Sequence, residues 1–508
     1  MHRFAITTLG CKANQYDSAA LAATLETAGL RPAGTAPGGD AETAPDLVVI
    51  NTCCVTATAM RKSRNAIRRA ARRAPRAAVL VAGCYGDYAR KRIADLLASL
   101  GLTRQRAFIA GHHGDVARRV MEIAHLLGSG PSARGNSRDG GCDPTAWQDG
   151  QDDLSMSDGP EGGKRTGLDL CIKARRMGAV KRNAMGTRGL AQLSQFPGHQ
   201  RAFVKVQDGC DAFCAYCVVP YTRPVVWWRP VEQVQRECRR LVASGHKEIV
   251  LSGVFLGAYG RATAIRREWD RGPSLLPDLV RRIAAIEGLW RVRLSSLEPL
   301  DADDRLLDAC AAMPNFAPHF HLPLQSGSAR ILRRMNRQYA PDDFRLAVER
   351  IRARFDRPAI TTDIIVGFPG EDEDDFAATL EMARWAGFSK IHAFGFSPIE
   401  GTAAWQFRRQ SPPPAAVKDR MAALARLESD MAAGYARQFV GQRVEALVEA
   451  AKARQPALRQ AMTDRYLTVL FRGQRAAPGD IVHLRITGQD SDGLRGKVAG
   501  PDVAANDP

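Results

Sequence analysis

Three cysteines stand at three-then-two spacing in Gly209-Cys210-Asp211-Ala212-Phe213-Cys214-Ala215-Tyr216-Cys217. A loop that must present three thiols to one point constrains the fold more than any other stretch of this chain. Thiolates select zinc, copper(I) or iron–sulfur clusters, and a four-coordinate metal or a cubane cluster wants four donors. No Cys or His follows Cys217 closely enough to complete a zinc site, the next being Cys238 and His246. A cluster held by three cysteines leaves one iron open, and an open metal position is where chemistry happens. A structural zinc site, or a loop with three incidental thiols, is the alternative reading.

Composition narrows the class. The chain has 508 residues, enough for several domains, and is 45% hydrophobic and 25% charged. No run approaches the ~18 apolar residues of a membrane helix. The start, Met1-His2-Arg3-Phe4-Ala5-Ile6, is too short and polar for a signal peptide. A cytoplasmic protein without membrane association is expected. Eleven cysteines are an odd count in a long chain, which argues against a disulfide scaffold and for reduced thiols available to metal. Lys and Arg number 72 against 54 Asp and Glu, a formal charge of +18, which favours a polyanionic partner.

The pattern along the chain is mostly βα alternation. Phe4 to Leu9, Leu47 to Ile50 and Ala78 to Ala82 are short apolar runs of the buried-strand kind, separated by helical stretches such as Ser18 to Ala28 and Thr58 to Arg72. Each run ends at a cysteine, in Leu9-Gly10-Cys11, Asn51-Thr52-Cys53 and Ala82-Gly83-Cys84, so three thiols can converge on one rim of a parallel sheet. From 128 to 200 Gly, Ser, Asp and Arg dominate and a disordered insert or linker is expected, with Cys142 and Cys171 incidental. Six strand candidates follow between 201 and 432: Ala202 to Val206, Glu248 to Leu251, Arg291 to Leu294, His319 to Leu322, Thr362 to Val366 and Ile391 to Phe394. They suggest an open barrel rather than a closed eightfold one. Past 436 the period changes to two, in Arg443 to Glu449, Tyr466 to Phe471 and Asp480 to Ile486, and a small all-β barrel ending near 500 is expected.

Taken together, CxxxCxxC with an aromatic before the last Cys resembles the radical S-adenosylmethionine (SAM) superfamily, and the three-part order resembles its methylthiotransferase family. Glu248-Ile249-Val250-Leu251-Ser252-Gly253-Val254, Leu294-Ser295-Ser296-Leu297-Glu298-Pro299, His321-Leu322-Pro323-Leu324-Gln325-Ser326-Gly327-Ser328, Arg334-Met335-Asn336-Arg337 and Thr362 to Glu371 look like further family signatures in the family's order. The resemblance implies an α/β fold in three parts. An N-terminal parallel α/β methylthiotransferase domain spans 1–127, a partial (β/α)6 radical-SAM barrel 201–432, and a small RNA-binding β-barrel, TRAM, 436–500. It implies two 4Fe-4S clusters, an auxiliary one on Cys11, Cys53 and Cys84 and a SAM-binding one on Cys210, Cys214 and Cys217. Gly253 and Glu298 would contact SAM, with Pro323, Gln325 and Ser326 on a rim loop facing it. Reductive cleavage of SAM would then generate the radical that removes a hydrogen atom, and the auxiliary cluster would supply the methylthio sulfur.

Within the family, Thr8-Leu9-Gly10-Cys11-Lys12-Ala13-Asn14-Gln15-Tyr16-Asp17-Ser18 looks like the MtaB type, which methylthiolates C2 of N6-threonylcarbamoyladenosine at tRNA position 37. The isopentenyladenosine-directed MiaB type and a ribosomal-protein-directed type are the alternatives, as is an RNA-binding protein with purely structural thiols. The implied partners are the tRNA anticodon stem-loop and a flavodoxin- or ferredoxin-like electron donor. Arg61, Lys62, Arg64, Arg68, Arg69, Arg72 and Arg73 lie on one helix and are candidates for phosphate contacts. The sequence departs from the family at Cys54, which could compete with Cys53, at Arg223-Pro224-Val225-Val226-Trp227-Trp228-Arg229-Pro230, at Phe255 where His is common, and in the long insert.

Overall fold

Apolar runs that close at a Gly or polar turn form parallel strands here, because a strand covered on both faces has no polar side to offer water. The computed structural model describes residues 2–33, 44–103, 105–111, 115–128, 190–196, 198–269, 272, 274–450, 458–473, 476–490 and 492–499. In the first part β1 (Arg3–Thr8), β2 (Arg31–Pro32), β3 (Leu47–Thr52), β4 (Ala78–Gly83) and β5 (Ala107–Ile109) form one all-parallel sheet in the order β2-β1-β3-β4-β5. Every residue of β3 and β4 is buried. The helices α1 (Lys12–Thr27), α2 (Ala57–Arg73) and α3 (Cys84–Tyr88) start just past the carboxyl ends of β1, β3 and β4. The loops carrying Cys11, Cys53 and Cys84 therefore share one rim of the sheet.

The second part contains all six expected strands. They are β6 (Arg201–Lys205), then, after a two-residue ribbon of β7 (Gln207–Asp208) and β8 (Trp227–Trp228), β9 (Glu248–Ser252), β10 (Arg291–Leu294), β11 (His319–His321), β12 (Ala359–Val366) and β13 (Lys390–Gly395). They pair in parallel as β10-β9-β6 and β11-β12-β13. The bridges Val292 to Phe316 and Ser296 to His321 join the two halves. Among the described residues β6 and β13 share no ladder, so the barrel is open on that side. Ala202, Val204, Ile249, Leu251, Val292, Leu294, Phe320 and Leu322 pack outward into the main core. By the alternation of a strand, Arg201, Lys205, Glu248, Arg293, His319 and His321 face the interior.

The third part is a closed five-stranded barrel ordered β14-β15-β16-β18-β17, from β14 (Arg443–Val448), β15 (Arg459–Thr463), β16 (Thr468–Phe471), β17 (Ile481–Asp490) and β18 (Gly493–Val498). Two of these strands, β15 and β18, carry no period-two apolar signal. Closure pairs them with β14, β16 and β17 and removes every edge. The expected insert also ends earlier than 200. Leu193 and Phe196 are buried in the barrel core, and the Leu193 amide donates to Glu237 Oε1 at 3.0 Å. Residues 129–189, with Cys142 and Cys171, lie outside the described residues.

Candidate cluster sites and barrel interior

Small residues let the first three cysteine loops meet. Gly10 has φ 111°. A Cβ there would lie 3.0 Å from Cβ and 3.2 Å from Sγ of Cys53, so only glycine admits this approach without strain. Asn14 Nδ2 donates to the carbonyls of Leu9 at 2.8 Å and Thr52 at 3.0 Å, tying the Cys11 and Cys53 loops together. Ser63 of α2 brackets Cys53, its Oγ accepting from the Cys53 amide at 3.2 Å and donating to the Cys53 carbonyl at 3.0 Å. The thiols of Cys11, Cys53 and Cys84 act on one another electrostatically. Burial pushes Cys53 up to about 12. Cys54 is fully buried among Val48, Ile67 and Tyr85 and hydrogen-bonds Cys84, which with burial raises its thiol. Cys53 thus faces the Cys11 loop, and Cys54 turns into the core.

The second triplet is braced from a distant segment. Gly209 (φ 80°) precedes it where a Cβ would strike the Val225 carbonyl oxygen at 1.8 Å. Phe213 sits at φ 51°, unusual for a bulky residue. The Arg334-Met335-Asn336-Arg337 signature holds that strained turn. Asn336 Nδ2 donates to the Phe213 carbonyl at 2.9 Å, and the Met335 carbonyl accepts from the Ala215 amide at 2.8 Å. Arg337 Nη1 donates to Cys214 Sγ at 3.2 Å. The Val219 amide reaches Cys217 Sγ at 3.4 Å. Burial raises all three thiols, Cys217 to about 12.

Of the remaining site candidates, Glu298 and Gly253 each reach this loop through one residue. Glu298 pairs with Arg337 and so stands one residue removed from Cys214. A Cβ on Gly253 would meet Gln207 Oε1 at 2.9 Å. Gln207 in turn bonds the Gly209 carbonyl and the Phe255 amide at 2.8 Å each. Gly253 therefore makes room for the side chain that joins the thiol loop to the turn after β9. Ser326 is committed to Thr379 and the Ser328 amide, and the Pro323 carbonyl to Tyr339. Gln325 keeps a buried Oε1 with no hydrogen-bond partner among the described residues. The departing segment 223–230 forms the β7–β8 ribbon. Phe255 packs edge-on against Trp269.

Between the triplets lies a buried ionic network that sequence reading missed. Lys205 Nζ reaches Asp208 Oδ2 at 2.6 Å and Asp17 Oδ1 at 2.5 Å. Arg223 reaches Asp208 at 2.6 Å, Asp17 at 2.8 Å and Asn14 Oδ1 at 3.1 Å. Two cations and two carboxylates balance, as burial requires. Arg229, Glu237 and the Tyr16 hydroxyl continue the network. The motif Asn14-Gln15-Tyr16-Asp17 of α1 is thereby the seam between the first sheet and the barrel. The Arg223 guanidinium acts on Cys11 and Cys53, and Cys84 acts on Cys217, so the triplets face each other across it. A lysine inside the apolar run Ala202 to Val206 was the available sequence signal.

The barrel interior is polar and has a floor from the third part. Tyr466, at φ 55°, lies 3.8 Å under the Arg293 guanidinium and 5.2 Å from that of Arg201, with its ring 4.4 Å from His319. Arg293 also bonds Glu248 at 2.7 Å and the Thr463 carbonyl at 2.7 Å. His321 faces Asp363 at 3.3 Å and His392 at 5.8 Å between rings. Lys12 enters from α1. Burial and the Arg293 and Arg201 guanidiniums lower its ammonium to about 8.

Comparison with known proteins shows the family. Residues 204–383 match the radical SAM superfamily and residues 3–101 the uncharacterized protein family UPF0004. A threonylcarbamoyladenosine tRNA methylthiotransferase MtaB of Chlamydia pneumoniae is 31% identical, over 88% of this chain and 86% of its own. The Bacillus subtilis MtaB is 29% identical over 96% and 94%. A tRNA-2-methylthio-N(6)-dimethylallyladenosine synthase of Acidithiobacillus ferrooxidans is 31% identical over 98% of both chains. The chain belongs to the radical-SAM methylthiotransferase family. It is a transferase, and its family's cofactors are 4Fe-4S clusters and SAM.

The residues of this methylthiotransferase fit those cofactors. None of the nine described cysteines is in a disulfide. Among the described residues no three His, Cys, Asp or Glu side chains stand close enough to hold a single metal ion. Two triads of separate thiols suit a multinuclear cluster, in which different irons each take one thiolate. The N–H donors on Cys214 and Cys217 are the kind that tune cluster sulfurs. Among the described residues no helix is long and apolar enough to cross a membrane.

Proposed function

We propose that the protein is a tRNA methylthiotransferase that places the 2-methylthio group on N6-threonylcarbamoyladenosine at position 37, beside the anticodon. MtaB and dimethylallyladenosine-directed relatives match at similar identity, so similarity does not choose the base. The polarity of the barrel interior supports the choice. Arg201, Glu248, Arg293, His319, His321 and Asp363 line the barrel where an isopentenyl group would want apolar walls, and a threonylcarbamoyl group wants polar ones.

In this reading residues 1–127 carry the auxiliary cluster on Cys11, Cys53 and Cys84. The barrel, 201–432, carries the SAM cluster on Cys210, Cys214 and Cys217, with Gly253 and Glu298 beside SAM, and 436–500 holds RNA. When bound, the clusters and SAM supply the one-electron cleavage that removes a hydrogen atom, and the sulfur and methyl group that replace it. The protein's part is positional. Arg337 orients Cys214, Asn336 holds the strained Phe213 turn, the Asp17–Lys205–Asp208–Arg223 network fixes the distance between triplets, and Tyr466 closes the floor against water. A flavodoxin- or ferredoxin-like donor supplies the electron.

The exposed face of α2 is the proposed clamp for the anticodon stem. Among the described residues Arg69, Arg72 and Arg73 make no ion pair, and with Asn65 and Arg68 they line a surface recess. Changing Arg68, Arg69, Arg72 and Arg73 to Gln is expected to weaken RNA binding. The dependence of log affinity on log salt should flatten by roughly 0.7 to 0.9 for each phosphate the variant no longer engages. An unchanged slope in a salt titration would remove α2 from the interface.

The deciding experiment is anaerobic reconstitution followed by SAM, reductant and anticodon stem-loops carrying threonylcarbamoyl- or isopentenyladenosine, with mass spectrometry of the nucleosides. A methylthio adduct on the first RNA is expected. An adduct on the second alone would overturn the choice of base.

A further inference from the structure

We infer that the basic patch formed by Arg333, Arg334, Arg408 and Arg409 is the docking surface for the electron donor, an acidic flavin-carrying protein. This rests on the SAM-cluster reading above and gives its reductant a place on the surface.

Cleavage of SAM takes one electron, which has to enter from outside the protein. The backbone of the loop 210–217 is tied to two segments that reach the surface. The Ala215 amide donates to the Met335 carbonyl at 2.8 Å, and the Ala215 carbonyl accepts from the Ala404 amide at 2.7 Å. Ala215 packs there with Ile331, Met335, Phe368 and Ala404. Met335 follows the helix Ala329–Arg334, and Ala404 lies in the helix Ala403–Gln406. Other sides of the loop are covered. Phe255, Ala264 and Trp269 pack around Cys210. The Cys210 amide bonds the carbonyl of Arg223, which carries the ionic seam to the first sheet. A carrier is left the side on which Ala215 lies.

That side is positively charged. The Arg334 guanidinium lies 4.7 Å from the centre of the Phe407 ring and bonds Gln410. The Arg408 guanidinium lies 4.0 Å from that of Trp405 and donates to the Trp405 carbonyl at 2.6 Å. Arg333 and Arg409 are exposed. Among the described residues none of the four makes an ion pair. The neighbouring turn, joined to Gln410 by the Gly370 amide at 2.8 Å, is acidic but mostly committed. Asp372 and Asp375 pair with Arg330, and Glu371 and Glu373 with Arg420, which leaves Asp374. Four cations beside one unpaired carboxylate suit an anionic partner. Guanidiniums already held over rings lose little side-chain freedom when it docks. The rings favour a flavin carrier, because a flavin has an apolar aromatic edge that Trp405 and Phe407 can meet. In the transfer the reduced flavin anion gives up one electron and keeps its proton, and the cluster is reduced by that electron. RNA is also polyanionic, but its base has to reach the space between the triplets, and α2 is the clamp proposed for its stem.

The test titrates the reconstituted holoenzyme with flavodoxin, without RNA, by isothermal titration calorimetry. Stopped-flow absorbance then follows oxidation of reduced flavodoxin by the enzyme, with dithionite as the small reductant for comparison. Arg333→Gln/Arg409→Gln removes the two exposed cations, whose side chains make no hydrogen bond or ion pair among the described residues. It is expected to bind flavodoxin roughly tenfold more weakly and to be reduced more slowly at low carrier concentration. Reduction by dithionite and affinity for RNA should stay at wild-type values, and added salt should weaken wild-type binding more than that of the variant. Arg333→Glu/Arg409→Glu should bind more weakly still. Flavodoxin that ignores the wild type, or reduces the Gln variant as fast, would overturn the docking site. So would a variant that loses RNA affinity while keeping that for flavodoxin, which gives the patch to RNA, or a wild type reduced by ferredoxin and not by flavodoxin. A protein that takes up no iron on Cys210, Cys214 and Cys217 would defeat the cluster reading itself, whereas one that takes it up, answers to dithionite and ignores flavodoxin defeats this surface alone.

Discussion

Cys53→Ala is expected to halve the iron held after anaerobic reconstitution, from about eight to about four atoms per chain, four being one cubane cluster, and to abolish methylthiolation. Cys54→Ala is expected to keep all of it. The two thiols are neighbours in sequence and opposites in placement. Cys53 lies against Gly10 and is bracketed by Ser63, facing the Cys11 loop. Cys54 has no exposed surface and packs with Val48, Ile67 and Tyr85. Parallel iron and sulfide assays on both variants decide the matter. Iron lost from Cys54→Ala and retained in Cys53→Ala would exchange the two roles.

Arg223→Gln should be among the most destabilising single changes in the molecule. Its guanidinium bonds Asp17, Asp208 and Asn14 together, all buried. Without it the two carboxylates lose the guanidinium and keep the Lys205 ammonium between them. Breaking a buried ion pair from one side costs about 3–5 kcal/mol, because the abandoned charge stays in low dielectric. The loss falls on the seam between the first sheet and the barrel, so thermal unfolding should begin lower and iron should be lost from both triplets. Arg223→Lys should restore little, since a single ammonium cannot replace the fork that spans three partners. A Gln variant that melts with the wild type would show that the seam is held by its apolar packing instead.

The sequence made the frame legible because its signals are local. Leu47 to Thr52 and Ala78 to Gly83 read as buried strands, and the six barrel strands could be placed to within a few residues, because apolar runs and turns are written in neighbouring positions. β15 and β18 escaped notice for the opposite reason. Arg459-Gln460-Ala461-Met462-Thr463 has no alternation, and Gly493 to Val498 contains two glycines. Each is a strand only because the barrel closes around it. Charge behaved likewise: Lys205 is marked by the apolar run around it, but Asp17, Asp208 and Arg223 look like ordinary surface residues in a basic chain, and nothing local tells that the four are buried together. The cysteines stood out by spacing, but the Arg337, Asn336 and Met335 groups that hold their loop come from more than a hundred residues further along.

Tyr466 belongs to a domain that follows the barrel in the chain, yet it forms the floor of the barrel interior. Domains are built as units in the order of their synthesis, amino-terminal first. Both cysteine triplets are therefore complete and able to fold before the chamber is sealed. A chain that stopped short of the third part would leave the barrel interior without the Tyr466 ring that packs on Arg293 and His319. The small closed barrel that follows the larger one in the chain is thus also the part that shuts it.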